Sequence, residues 1–182
     1  FGQGNDDVYL IKTDTNGNSI WSKTFGGKGR DQGRSVRQTS DGGYIVAGTS
    51  WPFKEKYSDV YMIKTDEDGR EVWHKTFGGR YGDYGYSVQQ TAGGGYIVVG
   101  NTRPFGRIGE SKIYLIKTDG KGDKVWAKTF SGGGSAYGLS VRQTTEGGYI
   151  LAGKKELESV DDYDICLIKT KGDGTIVWKM TF

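Results

Sequence analysis

The chain has 182 residues, of which 34% are hydrophobic and 32 are glycine, and its net charge of +3 comes from 25 basic and 22 acidic side chains. No apolar run approaches the ~20 residues of a membrane-spanning helix and no segment has the pattern of a secretory signal, so we expect a soluble chain without membrane insertion. The charges are weak and dispersed, which argues against nucleic acid as a partner.

The chain is built from two recurring segments. The segment "DVYLIKTDTNGNSIWSKTF" begins at Asp7 and returns with changes at Asp59, Lys112 and Asp164. The segment "SVRQTSDGGYIVAG" begins at Ser35 and returns at Ser87 and Ser140. The tryptophan of the first segment recurs after 52, 53 and 52 residues, at Trp21, Trp73, Trp126 and Trp178.

Each period predicts four short β-strands and no helix. Its segments are rich in Val, Ile, Tyr and Thr and are separated by Gly, Asn and Asp, which is the pattern of strands and tight turns. The pairs that begin at Gly42, Gly94 and Gly147 suit one hairpin turn, and Gly17 with its copies Gly69, Gly122 and Gly174 suits another.

Both faces of these strands need cover, because "VYLI" and "YIVAG" are apolar at consecutive positions. Four antiparallel strands per period, in sheets that are covered on both faces by the next repeat, describe the blades of a β-propeller. We therefore expect an all-β propeller. A β-solenoid is the alternative, although its rungs are usually much shorter than this period.

The order "SVxQT, GGYIVAG, DVYLIKTD, WxKTF" resembles the blade order of kelch and WD-repeat propellers. The whole unit, including "KTFGG", is similar to the propeller repeats of many secreted or surface proteins of bacteria and archaea. This resemblance implies an extracellular or cell-surface location, with "SVRQT" innermost and "WSKTF" outermost in each blade.

On that assignment the chain holds about three and a half four-stranded blades. These are a half blade at residues 7–25 and whole blades at residues 33–77, 85–130 and 138–182. Since this count does not close a ring, we expect that further blades of a longer array or another copy of the chain complete it.

In a propeller with this strand order, the blade-to-blade connectors and the loops between strands two and three emerge on one rim, where ligands usually bind. The loops vary there, as in "TSWPFKEKYSD", "NTRPFGRIGES" and "KKELESVDDYD". The candidate rim residues are Asp31, Trp51, Phe53, Tyr57, Arg80, Tyr81, Asp83, Arg103, Phe105 and Arg107.

Two interpretations of these rim residues stay open. The aromatic side chains could stack on sugar rings or anchor a peptide, or Trp51 and Phe53 could fold back over the blade edges. Asp31 and Asp83 could form part of a carboxylate ring for a cation or a basic peptide. We favour a structural role for both aspartates, in which each accepts backbone N–H groups of its own loop.

The stretch "TDTNGNSIW" resembles the Asp-box of sialidase propellers and the tryptophan-docking repeat of quinoprotein dehydrogenases. Both resemblances imply scaffold roles: Asp14, Asp66 and Asp119 cap their hairpins, while Trp21, Trp73, Trp126 and Trp178 dock blade against blade. A calcium site at "DTNGN" or "DEDG" is an alternative, but ordinary turn chemistry explains these stretches better.

The sequence offers no recognisable catalytic set. His74 is the only histidine and Cys166, inside an apolar strand, the only cysteine, so we expect no enzyme activity, cofactor or metal. The function that we predict is a non-enzymatic scaffold or recognition module that binds a protein or polysaccharide on the loop rim. One alternative is part of a propeller enzyme, of glycoside hydrolase, lyase or quinoprotein type, whose active site lies outside this chain. The other is a self-assembling subunit that uses open blade edges.

Overall fold

Runs of β-branched and aromatic residues between glycine turns form fourteen β-strands in the computed structural model, which describes residues 4–103, 109–131, 133–156 and 162–182. Within these ranges no residue lies in an α-helix, and no helix there could cross a membrane. The prediction of an all-β chain is confirmed.

The strands form four antiparallel sheets, each made of consecutive strands. Sheet 1 contains β1 (Val8–Thr13) and β2 (Ser19–Phe25). Sheet 2 contains β3 (Arg30–Gln38), β4 (Tyr44–Trp51), β5 (Asp59–Thr65) and β6 (Glu71–Phe77). Sheet 3 contains β7 (Asp83–Gln90), β8 (Tyr96–Thr102), β9 (Lys112–Thr118) and β10 (Lys124–Phe130). Sheet 4 contains β11 (Ala136–Gln143), β12 (Tyr149–Glu156), β13 (Tyr163–Thr170) and β14 (Ile176–Thr181).

Each four-stranded sheet consists of a first hairpin, its first two strands, and a second hairpin, its last two strands. Sheet 1 corresponds to a second hairpin alone. The turns need left-handed backbone at one glycine: φ is +83° at Gly42 in a first hairpin and +85° at Gly17 in a second hairpin. Glycine adopts this conformation without the steric cost of a Cβ atom, which explains its recurrence at these positions.

Every hairpin carries one register shift at the same place in the repeat. In the first hairpins the shift leaves Arg34, Tyr86 and Leu139 without a cross-strand partner. In the second hairpins it falls at the exposed residues Ile20, Val72, Val125 and Val177. Such bulges add local twist to the strand that carries them.

The core lies between the sheets, which pack face to face. In sheet 2, Val60 and Met62 pack toward sheet 3, while Tyr61 and Ile63 pack toward sheet 1, and all four are buried. The described residues form three such interfaces, between sheets 1 and 2, 2 and 3, and 3 and 4. This explains why the repeat is apolar at consecutive positions.

The closest approaches between neighbouring sheets involve their first hairpins. Strand β3 contacts β7, β7 contacts β11, β4 contacts β7 and β8 contacts β11. The first strands of successive sheets therefore lie side by side.

Candidate functional site

The loops that the sequence predicts to form a ligand-binding rim lie together at one end of the strands. The loop between β4 and β5 lies between the two connectors that lead into and out of sheet 2. On one side, the Trp51 carbonyl lies against Gly29. On the other side, the Asp83 N–H donates to the Ser58 carbonyl at 2.7 Å, and the rings of Tyr57 and Tyr81 meet edge to face at 5.3 Å. We call this end the loop rim.

Trp51 lies half-buried on the loop rim and packs back onto the chain. Its ring meets Tyr84 edge to face at 5.9 Å, and the Arg30 guanidinium lies 5.4 Å from its centroid. The Arg30 Nε is in turn 2.6 Å from the Asp6 carboxylate. Trp51 thus follows the interpretation in which the aromatic side chain covers a sheet edge.

Phe53 behaves differently, because 60% of its surface is exposed. Its ring has the Lys54 ammonium 5.5 Å from its centroid, and the Lys54 backbone is left-handed with φ at +70°. A cleft of about 310 Å³ beside it is lined by Pro52 and Asp31 among others. Phe53 is therefore an aromatic side chain that a ligand can reach.

Asp31 and Asp83 are buried, with 4% and 2% of their surfaces exposed. The Gly27 N–H donates to Asp31 Oδ2 at 3.0 Å, and the Gly79 N–H donates to Asp83 Oδ2 at 2.9 Å. Burial raises the pKa of Asp83. Each carboxylate therefore accepts a backbone N–H group of its own connector, which is the contact expected for a structural role.

A second carboxylate beside Asp83 was not anticipated from the sequence. A Cβ atom on Gly78 would lie 1.8 Å from Asp59 Oδ1 and 2.9 Å from Asp83 Oδ2, so the two aspartates flank one glycine. Burial, and then the charge of Asp83, raise the pKa of Asp59. The sequence carried a signal for this pair, because the third repeat replaces both aspartates together, with Lys112 and Ala136.

The remaining candidate rim residues contribute less. Arg80 is exposed. The Arg103 N–H donates to the Gly82 carbonyl at 3.1 Å and its Nε donates to the Ser111 hydroxyl at 3.3 Å, so its loop is tied to the preceding connector. Phe105 and Arg107 lie outside the described residues.

The repeated tryptophans lie between successive sheets, at the opposite end of the strands from the loop rim. Trp21 meets Tyr44 at 5.7 Å, Trp73 meets Tyr96 at 5.7 Å and Trp126 meets Tyr149 at 6.0 Å, in each case edge to face. The hairpin glycine of the next sheet touches the same ring: Cβ atoms on Gly69 and Gly122 would lie 2.8 and 2.9 Å from Trp21 and Trp73. Trp178 belongs to sheet 4, after which no further sheet is described.

The aspartates of the "TDTNGNSIW" segments are occupied by backbone donors. Asp14 Oδ1 accepts the N–H groups of Asn16 and Asn18 at 2.8 and 2.9 Å. Asp66 and Asp119 accept the corresponding pairs in their hairpins. Hydrogen bonds from the Asn18 side chain and then its backbone lower the pKa of Asp14. These contacts are those of hairpin caps.

The groups that most often carry catalysis or bind metal are dispersed. Cys166 is buried, and burial raises the pKa of its thiol. The exposed His74 has its Nδ1 at 2.7 Å from Glu71 Oε1 and its ring beside Tyr61. Among residues 4–103, 109–131, 133–156 and 162–182, no three His, Cys, Asp or Glu side chains are grouped so that they could hold a metal ion.

Comparison with known proteins adds no relative: neither a protein-family model nor a curated protein sequence matches the chain.

Proposed function

We propose that sheets 2–4 are blades, and sheet 1 the outer half of a blade, of an extracellular or surface-attached β-propeller that serves as a non-enzymatic scaffold and recognition module. The observation that carries the fold is the side-by-side arrangement of β3, β7 and β11, together with the cover of both faces of sheets 2 and 3. Radial sheets whose first strands surround an axis have this arrangement.

The loop rim is the binding surface of this proposal. It combines the exposed Phe53 with the edge-to-face pair of Tyr57 and Tyr81. The Lys56 ammonium lies 5.3 Å from the centroid of the Tyr57 ring. Aromatic faces next to cationic groups suit the apolar faces of sugar rings and the side chains of a peptide. The ligand is accordingly a glycan or a protein.

A glycan array and a protein pull-down with the full chain test recognition. With any ligand that they identify, Phe53→Ala is expected to weaken binding at least about tenfold, because a rim aromatic acts as an anchor. Val125→Ala is the control, since Val125 is equally exposed but lies in the β10 bulge. Absence of any ligand, or equal weakening by both variants, would remove recognition and leave a scaffold.

Self-assembly is a second candidate, favoured by the apolar residues on the outer faces of sheet 1 and sheet 4. Ile165 and Met180 are exposed on sheet 4, and Tyr9 and Ile11 are exposed on sheet 1. The residues equivalent to Tyr9 and Ile11 in sheet 2, Tyr61 and Ile63, are buried between sheets. Light scattering over a range of concentrations tests this candidate, and a constant monomer mass would rule it out.

A further inference from the structure

A bay lies beside sheet 1 at the place where a first hairpin lies in the other sheets. Strands β5, β9 and β13 each pair with a strand on both edges, whereas β1 pairs only with β2 among the described residues. The free edge of β1 and the adjacent side of β3 enclose a cleft of about 210 Å³, lined by Val8, Leu10, Val36 and Val46 among others. We call it the first-hairpin bay.

Exposure of Val36 marks the bay as an uncovered core surface. Val36 is 42% exposed, whereas Val88 and Val141, which hold the same position in β7 and β11, are 0% exposed. The first hairpins of sheets 2 and 3 cover those two valines. The bay also adjoins the core between sheets 1 and 2, to which Val8, Leu10 and Val46 already belong.

Two polar contacts, repeated between neighbouring first strands, show what the bay needs from an occupant. Ser35 Oγ accepts the Val88 N–H at 3.3 Å, and Ser87 Oγ accepts the Val141 N–H at 3.4 Å. In the reverse direction, Gln90 Oε1 accepts the Ser40 N–H and Gln143 Oε1 accepts the Ala92 N–H, each at 2.8 Å. The serine and the glutamine of the "SVxQT" segment thus serve the contact between sheets.

In β3 the equivalent positions have no preceding first strand among the described residues. Val36 occupies the place of Val88 and Gln38 occupies the place of Gln90. Gln38 instead donates its side-chain amide to the Gly42 carbonyl of its own turn, at 3.3 Å. The bay therefore presents an apolar wall, a free strand edge and a glutamine positioned for a turn N–H group.

We propose that the first-hairpin bay is a binding site for a two-stranded β-hairpin of the chain's own first-hairpin type. The second strand of that hairpin pairs with β1 as β8 pairs with β9, with its tyrosine opposite Thr13 as Tyr96 is opposite Thr118. Its first strand places a serine beside Val36 and offers a turn N–H to Gln38.

Backbone pairing is what selects a hairpin over other ligands. A free strand edge is a row of N–H and C=O groups, which another strand satisfies most completely. The chain itself contains the filled form of this site at the interfaces of sheets 2, 3 and 4, so the occupant's chemistry follows from contacts already described. This inference does not rest on the loop rim, because the bay lies on the opposite side of β1 from β2 and involves no rim aromatic.

The experiment titrates the full 182-residue chain into a fluorescently labelled synthetic peptide with the sequence of residues 83–102, and follows fluorescence anisotropy. We expect saturable one-to-one binding, together with slower hydrogen exchange at the β1 amides. Val36→Glu is expected to weaken binding at least about tenfold, since it places a charge on the apolar wall. Gln38→Ala is expected to weaken binding severalfold through loss of one hydrogen bond.

Val125→Glu is the matched control, because Val125 is an exposed apolar residue in the β10 bulge and its substitution should leave peptide binding unchanged. Thermal unfolding of each variant without peptide shows whether the exposed substitutions leave the fold intact. Absence of saturable binding, or equal loss in the Val36 and Val125 variants, would overturn the proposal. Concentration-dependent protection of β1 without any peptide would also overturn it, since the surface of a folded second copy, and not a free hairpin, would then cover the bay.

Discussion

The ion pair of Lys64 and Asp41 ties the two hairpins of sheet 2 together. Lys64 is buried, and its Nζ lies 2.9 Å from Asp41 Oδ2 and donates to the Thr65 carbonyl at 2.7 Å. The Thr39 hydroxyl and then the Lys64 ammonium lower the pKa of Asp41 to about 2. Sheet 4 repeats the pair with Glu146 and Lys169 at 3.3 Å.

Asp41→Asn removes the ion-pair partner of Lys64 and is expected to lower the free energy of unfolding at pH 7 by about 1 kcal/mol. The loss is small because water screens the exposed carboxylate. Since the pKa of Asp41 is depressed in the folded chain, its carboxylate stabilises the fold fully above the ordinary pKa of an aspartate. This stabilisation is lost as pH falls through about 2. Urea unfolding of the parent chain and of the Asp41→Asn variant at pH 7 and at pH 2 measures the difference in their free energies of unfolding, which should be smaller at pH 2.

Glu146→Gln serves as the comparison for that substitution. Lys169 is more exposed than Lys64, so loss of its partner should cost less than loss of Asp41. A cost for Asp41→Asn that is the same at both pH values, or smaller than that of Glu146→Gln, would contradict the role given to the buried ammonium.

At the level of residues, the sequence predicted roles that depend on local geometry and missed the hydrogen bonds between sheets. Hydrogen bonds within one hairpin explain why a capping role for Asp14 could be predicted. The contact of Gln90 with the Ser40 N–H joins residues 50 positions apart, and it depends on how two sheets dock. Phe53 is also exposed, whereas Trp51, which ends β4 two residues earlier, is half-buried.

Among the elements, the second hairpins combine a tight turn with a contact to the preceding sheet. Gly122 has φ at +81°, and a Cβ atom there would lie 2.9 Å from the Trp73 ring. Gly147 has nearly the same backbone, with φ at +83°, but a Cβ atom there would meet nothing within 4 Å. The two glycines therefore separate the cost of backbone strain from the cost of crowding.

Gly147→Ala is expected to lower the free energy of unfolding by about 1 kcal/mol, the cost of left-handed backbone for a residue with a Cβ atom. Gly122→Ala should cost roughly 1–3 kcal/mol more, because the tryptophan must also shift. Urea unfolding of the two variants and the parent chain measures both values. Equal losses of stability in the two variants would mean that the Trp73 ring moves aside for the added methyl group without a measurable energetic penalty.

The strands and hairpins of the chain were predictable because each depends on short stretches of sequence. Glycine pairs, β-branched runs and the tryptophan period all report on local backbone conformation and on cover for both faces. The strand bounds differ slightly from the predicted blades: β3 begins at Arg30, because Arg30 pairs with Trp51 across the first hairpin. Cross-strand register of this kind depends on the partner strand as well as on local pattern.

For the whole molecule, cover by neighbours differs from sheet to sheet although the sequences are alike. In β8 every residue except Thr102 is buried, and the strand pairs on both edges. In β1, Tyr9 and Ile11 are exposed, and one edge has no partner strand among the described residues. In repeat architectures, stability is approximately a sum of unit and nearest-neighbour terms, so a sheet with fewer covered surfaces opens at lower cost.

Amide hydrogen exchange in the chain without ligand should therefore be slowest in the strands whose faces and edges are most completely covered by neighbouring strands and sheets. We expect the β8 amides to exchange at least about a hundredfold more slowly than those of β1, because opening β8 breaks two sheet interfaces and both edge pairings. Strand β13, which pairs on both edges but has Ile165 exposed on its open face, should fall between them. If β1 proved as protected as β8, the chain would open as one unit and the nearest-neighbour account of its stability would be wrong.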